Sequence, residues 1–445
     1  LENKKDHKSD HMRIISGAMR VAFFLIVGKL AGAIKEMALA NRYGVSDVVD
    51  AYQFTQSMAN WLPLTIVGAF SIVLIPVLVK LKHLDKQERY RFIAELQAWV
   101  LTIGVVSTVV IWLAWPIILE HMAGKLSVHA KAFSEQMIWV FAPVGLLILF
   151  IGLSTARLRS HERHINNLLD SLPALFIFAW VMLSPGDVSV WPIALGTLAG
   201  YLLQTVLLQY MANKLDDERV VIPSWRFTSN QWSSLMSAAG LMLVGQIALS
   251  FVQPLDQMYA AHIGNNANAT MGYATRLISV VIGIGAASVG RAALPVLADV
   301  QHRGNPLQAR NIALKWALAM VGLGVIALFI AWFIAPYMVK IVFERGAFTA
   351  ENTEAVAQVL RFGLLQVPFY FGVLILVQLL ASQNRYRWMA IIALTNFAVK
   401  FLMNYLLVPI YGIEGIMLAT ASMYLCSFLC YFLMAWRSPI KYDTE

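Results

Sequence analysis

The sequence predicts an all-α polytopic membrane protein, with about 12 transmembrane helices in two six-helix bundles related by a pseudo-two-fold axis along the membrane normal. Three observations predict it. Of the 445 residues, 59% are hydrophobic and only 13% are Asp, Glu, Lys or Arg, about half the charged share of a soluble domain; mean hydropathy is +0.65. Apolar windows of about 20 residues, the length that crosses hydrocarbon, recur along the chain. Lysine and arginine are dense in every second connection and sparse in the others. A soluble chain so poor in charge could not cover its surface, whereas a lipid-facing surface needs none.

Residues 1–11 are polar and precede Met12, and they read as an added extension outside the fold. No cleavable signal peptide is expected, because the first apolar run is long enough to span. The windows fall near 14–40, 51–79, 92–118, 134–156, 165–184, 189–212, 230–262, 270–300, 310–335, 354–381, 388–410 and 413–436. They are far longer than barrel strands and do not alternate. The first six make an N-terminal bundle, 12–212. A linker at 213–229 carries Lys214-Leu215-Asp216-Asp217-Glu218-Arg219, expected to be a solvated run. A C-terminal bundle, 230–437, and a tail, 438–445, follow.

With the N-terminus in the cytoplasm, the inner connections and tail carry 18 basic residues and the outer connections five: Arg42, Lys125, Lys131, Lys340 and Arg345. Both termini are therefore expected to be cytoplasmic. The net charge of +9 is mostly this loop charge. It favours anionic lipid and gives no sign of a nucleic-acid partner.

A repeat underlies the two bundles. Glu36, Gly44 and Pro76 recur as Asp256, Gly264 and Pro295, offset by 219 or 220 positions, and Ile75-Pro76-Val77-Leu78 answers Leu294-Pro295-Val296-Leu297. Six helices per half give both copies the same orientation.

Charges at bilayer depth cost at least about 2.5–3.5 kcal/mol each on insertion scales and so mark candidate sites. Helix 1 carries Lys29, Lys35 and Glu36; at about 100° per residue Lys29 and Glu36 share a face, with Lys35 to one side. A structural ion pair with a snorkelling lysine is the plainer alternative. Arg276 lies near the outer end of helix 8, Asp256 in helix 7, and Lys400 mid-helix 11 between Asn396 and Asn404, one turn away on either side. The surplus of cations suits a diphosphate, which guanidinium and ammonium groups bind well. The acids would keep the cations charged or bind a coupling Na⁺ or H⁺. No phosphate-binding loop is present, and His161 and His164 sit in a basic loop, read as exposed. Cys426 and Cys430 read as two small apolar side chains on one helix face. The chain is not expected to be an enzyme or to need a cofactor.

Residues 343–353, Phe-Glu-Arg-Gly-Ala-Phe-Thr-Ala-Glu-Asn-Thr, resemble an outer-loop signature of the MurJ/MviN lipid II flippases, a family of the multidrug/oligosaccharidyl-lipid/polysaccharide exporter superfamily. Helix 1 is similar to the family's, with Lys29 and Lys35 where arginines are usual and Glu36 at the following acidic position. Asp50-Ala51-Tyr52, Gly68-Ala69-Phe70-Ser71 with Pro76, and Tyr273-Ala274-Thr275-Arg276 also match.

The resemblance implies alternating access that carries an undecaprenyl-diphosphate-linked saccharide to the outer leaflet of a bacterial inner membrane. It carries the family's functional positions over to Lys29, Lys35, Glu36 and Arg276, with Arg345, Gly346, Phe348 and Thr349 in the signature loop. Together with the intramembrane charges, the expected diphosphate contacts are Lys29, Lys35, Arg276 and Lys400, and the expected acidic partners or coupling residues are Glu36, Asp50 and Asp256. Driving energy would come from an ion gradient, Na⁺ or H⁺, or the membrane potential, and the protein would work as a monomer among membrane lipids.

The chain departs from the pattern in three places. Asn60-Trp61-Leu62-Pro63-Leu64 replaces paired arginines, Thr275 and Ser279 replace acids beside Arg276, and no counterpart of two last helices with a lipid-tail groove is seen. Lipid II and a related exopolysaccharide or O-antigen unit both fit. A cation-coupled multidrug exporter is the alternative, and it would predict a more acidic cavity.

Overall fold

The computed structural model of the chain describes residues 27–81, 86–161, 163, 165–184, 189–216, 221–229, 231–283, 306–383 and 385–437, without the side chains of 72, 234, 237–244, 306 and 386. All regular structure among them is α-helical. Helix α1 covers 27–43. It is followed by α2 (Asp47–Leu81), α3 (Lys86–Met122), α4 (Val128–Ser160), a single turn α5 (Asn166–Leu169), α6 (Leu172–Leu183) and α7 (Trp191–Leu215). Then come α8 (Gln231–Ser250) and α9 (Val252–Ile263), and α10 over 267–283. The chain continues through α11 (Pro306–Phe343), α12 (Ala350–Leu364), α13 (Val367–Ser382), α14 (Tyr386–Tyr411) and α15 (Ile413–Arg437).

Each predicted window falls on one helix or on a consecutive pair; residues 14–26 and 284–300 of two windows lie outside the described residues. Among the described residues seven spans are long and apolar enough to cross a membrane, and two bent pairs bring the number to nine. The breaks follow from the sequence. α12 and α13 meet at 40°, where Pro368 has no N–H to donate to the Leu364 carbonyl. Pro173 and Pro192 stand in the first turns of α6 and α7, where the missing donor is harmless. Gly196 seats α7 on α6: a Cβ there would lie 2.8 Å from the Ile177 Cα.

The helices pack as two compact units. The first holds Leu1–Leu39, Met58–Pro116 and Phe133–Leu243. Its core is built on Leu74, Val77, Leu81, Phe92, Leu96 and Leu153, closed by Trp232. The second holds Ala40–Ser57, Ile117–Ala132 and Val244–Glu445, so it draws in one end each of α1 to α4 and of α8 together with the whole of the helices that follow α8.

The repeat is also visible in the register. Gly44 and Gly264 both have positive φ, +59° and +81°, and each is followed three residues later by a new helix, α2 and α10. Pro295 lies outside the described residues.

Candidate functional site

In the first unit, α1 brings its charges into two different settings. Lys35 and Glu36 are buried at 6% and 1% exposure, and the Lys35 Nζ lies 2.8 Å from a Glu36 carboxylate oxygen. Lys29 is exposed two turns earlier. The pair therefore joins sequence neighbours and not Lys29 with Glu36. The long lysine stem explains this, because it lets the ammonium swing back to the adjacent carboxylate.

The second unit has buried charges of its own. Lys400 is fully buried. Its ammonium lies 2.8 Å from Asp256 Oδ1 and donates to Thr420 Oγ1 at 2.6 Å and to the Ile416 carbonyl at 2.9 Å. An ammonium has three hydrogens, and three oxygens surround this one. Asn404 Nδ2 donates to the same Asp256 oxygen at 3.1 Å, and Asn396 Nδ2 to Ser427 Oγ at 3.1 Å. The polar row read from the spacing of 396, 400 and 404 is thus real, and it ties α14 to α9 and α15. Lys400, expected among the diphosphate contacts, is engaged instead within helix packing.

Arg276 differs from Lys400. It is exposed on α10, as is Thr275, while Tyr273, Ala274, Leu277 and Ile278 around it are buried.

Asp50, buried at 2% exposure, accepts the Ala269 backbone N–H at 2.8 Å. It caps the first turn of α10, where N–H groups lack helical partners and the helix dipole favours a carboxylate. The signature loop lies close by in the same unit. Gly346 has φ +57°, and Thr349 caps α12 by accepting from the Asn352 N–H. Arg345 is exposed and donates to the Ile341 carbonyl. Phe348 is buried and packs edge-on to Tyr273 at 5.3 Å. The Tyr273 hydroxyl in turn donates to the Gly44 carbonyl at 2.9 Å; its role left no trace in the sequence beyond the Tyr-Ala-Thr-Arg motif.

Two readings of the residues assigned to the inner connections change. Arg157, counted as loop charge, is 1% exposed. It is held by Asp216 at 2.8 Å and by Asn213 at 2.9 Å. Asp216 also meets His161 Nε2 at 2.9 Å. The run beginning at Lys214 is therefore anchored at Asp216, and His161 is not a free surface histidine; His164 lies outside the described residues. The spacing gave no warning, since 59 positions separate Arg157 from Asp216. Cys426 and Cys430 stand 4.0 Å apart as free thiols on one face of α15. No group of three or more His, Cys, Asp or Glu that could hold a metal occurs among the described residues.

A family model described as lipid II flippase MurJ matches residues 39–444. A probable lipid II flippase MurJ from Synechocystis sp. is 26% identical over 439 residues, covering 94% of this chain and 80% of the relative. The lipid II flippase MurJ of Burkholderia cenocepacia is 24% identical over 435 residues, covering 92% and 81%. Among solved structures, a lipid II flippase MurJ in an inward closed conformation superposes with a TM-score of 0.79 at 18% identity, over 94% of this chain and 88% of that one. An inward-facing multidrug resistance MATE family transporter of the MOP superfamily gives 0.72 at 13% identity, over 93% and 94%. These two likenesses concern the fold.

Proposed function

The chain belongs to the MurJ lipid II flippase family, and from that membership we propose that it carries an undecaprenyl-diphosphate-linked saccharide from the cytoplasmic to the outer leaflet by alternating access. It is a multi-pass inner-membrane transporter and not an enzyme, and its substrate is a lipid-linked glycan. Lipid II is the reading that the family supports best. The departures at Asn60–Leu64, Thr275 and Ser279 leave a related cell-envelope glycan as the finer alternative. Both termini lie in the cytoplasm on the charge bias, and a single chain suffices for transport. A gradient of Na⁺ or H⁺, or the membrane potential, supplies the energy.

The observation that carries the site assignment is the exposure of two cations on otherwise apolar helices. Lys400 is surrounded by protein oxygens, whereas Lys29 and Arg276 are exposed on apolar helices. Lys29 and Arg276 are therefore assigned to the diphosphate, and Lys35 joins them as the α1 position that matches the family's pattern. Lys35 begins paired with Glu36, and a diphosphate would compete with that carboxylate for the ammonium. The drug-exporter reading is weaker, because the likeness to MATE transporters concerns fold while the family model is that of lipid II flippases.

Native mass spectrometry of the purified protein in mild detergent tests this. A polyprenyl-diphosphate glycan should co-purify, its mass should name the sugar, and the Lys35→Ala/Arg276→Ala variant should lose it. Equal binding of added glycolipid by the variant would reject these residues as the site.

A further inference from the structure

The signature loop of the second half has a counterpart in the first that the sequence alone did not reveal. Gly346-Ala347-Phe348-Thr349 and Gly124-Lys125-Leu126-Ser127 follow α11 and α3 respectively, 222 positions apart. Each opens on a glycine of positive φ, +57° and +45°. Each then turns back, with Phe348 N donating to the Arg345 carbonyl at 3.1 Å and Leu126 N to the Ala123 carbonyl at 2.8 Å. The third residue, Phe348 or Leu126, is buried. The fourth supplies a hydroxyl that accepts an N–H of the next helix, from Asn352 at 3.4 Å and from Ala130 at 3.0 Å.

Each loop also crosses the end of a helix from the opposite half, inside the second compact unit. Ala347 N donates to the Asn41 carbonyl at 2.8 Å, and Lys125 N to the Ala261 carbonyl at 2.9 Å. Asn41 and Ala261 stand three residues before Gly44 and Gly264, the other pair of positive-φ glycines. The two crossings are therefore copies of one contact under the internal repeat. Side chains are excluded on both sides of each. A Cβ on Gly346 would overlap the Asn41 carbonyl, and one on Gly44 the Ala347 carbonyl. A Cβ on Gly124 would lie 2.7 Å from the His262 ring, and one on Gly264 3.1 Å from the Lys125 carbonyl. Such close approach, made at both points, requires glycine at each of the four positions.

We infer that these crossings form a two-point latch, Asn41 with Ala347 and Ala261 with Lys125, which closes the outer side of the transporter and must part at both points each time that side opens. The inference rests on the alternating-access reading and on the topology that places Gly44, Gly124, Gly264 and Gly346 at outer helix ends. Each point is a single backbone hydrogen bond, and Asn41, Ala347 and Lys125 are exposed, so water can replace the bond when it breaks. The signature loop thus acts as a positioning element and not as a substrate contact.

The test uses the full chain with Cys426→Ala and Cys430→Ala, carrying either Asn41→Cys/Ala347→Cys or Lys125→Cys/Ala261→Cys, in proteoliposomes with lipid II. Oxidation, or a short bifunctional thiosulfonate, should link either pair and cut translocation at least tenfold, and reductant should restore it. Linked protein that translocates at the reduced rate overturns the latch, as does failure of both pairs to link. A second readout separates this from an error in the substrate. If even the unsubstituted protein moves no lipid II, the substrate reading has failed, and the latch is judged by impermeant maleimide on Ala261→Cys, a buried position. Labelling at a rate independent of reagent concentration reports opening and supports the latch. Labelling proportional to reagent, as fast as at exposed His129→Cys, or none over hours, overturns it.

Discussion

Lys400 shows what a charge inside a membrane protein requires. Its side-chain nitrogen is surrounded by Asp256, Thr420 and the Ile416 carbonyl, one oxygen for each N–H it can offer. Removing one member of a buried pair leaves the other uncompensated, at a cost of about 3–5 kcal/mol, while replacing both by apolar groups of similar volume is often near neutral. Lys400→Ala is therefore expected to lower the thermal midpoint in detergent sharply, and Lys400→Met/Asp256→Leu to recover most of the loss. A single variant as stable as the unaltered protein would show that the pair contributes nothing. Lys29→Ala, at an exposed position, should change stability by about 0.5 kcal/mol or less while weakening glycolipid binding. At this scale the sequence told half the story. Spacing placed Asn396, Lys400 and Asn404 on one face, because helical periodicity is local. It could not say that Asp256, 144 positions earlier, would face them, because that depends on how α9 and α14 pack. Lys35 and Glu36 misled for the opposite reason: angular bookkeeping ignores the reach of a four-carbon stem.

Helices here begin and end under instructions from elsewhere in the chain. α10 has no capping side chain of its own at residue 269; Asp50, on α2, provides one from 219 positions away. Loss of an N-cap acceptor costs about 0.5–2 kcal/mol. Asp50→Ala should therefore speed hydrogen exchange of the first α10 amides, whereas Asp50→Asn, which keeps an acceptor, should change it far less. Equal exchange in all three proteins would remove the capping role. The spans themselves were legible because length and hydropathy fix them. The bend at Pro368 was not read, because 354–381 passes as one apolar window and hydropathy does not register a missing N–H. The buried cluster of Arg157, Asn213, Asp216 and His161 was not, because loop charge and buried charge look alike in a string of letters.

Across the whole molecule, two kinds of order coexist. The repeat divides the chain by sequence, α1 to α7 against α8 to α15, while packing gathers the Gly44 and Gly124 ends with the later helices. Sequence comparison of the halves found Gly44 and Gly264 but missed Gly124 and Gly346, since only a glycine and a small hydroxyl residue are shared there and the match lies in backbone shape. The charge bias makes a separate prediction at this scale. Impermeant thiol reagents added to intact cells should label Lys340→Cys and should reach Lys80→Cys and Arg385→Cys only after the membrane is opened; the reverse pattern would invert the topology.

One contact in the first unit bears on how the protein is made. Glu95, near the start of α3, is fully buried and accepts from the Thr228 and Ser229 backbone and from the Trp232 indole, the last at 2.6 Å. These donors emerge from the ribosome 133 to 137 residues after Glu95, roughly 7–27 s later at ordinary rates of synthesis. During that interval the carboxylate has none of these protein partners. The burial of this carboxylate on α3 thus completes only once the linker and the start of α8 have been made.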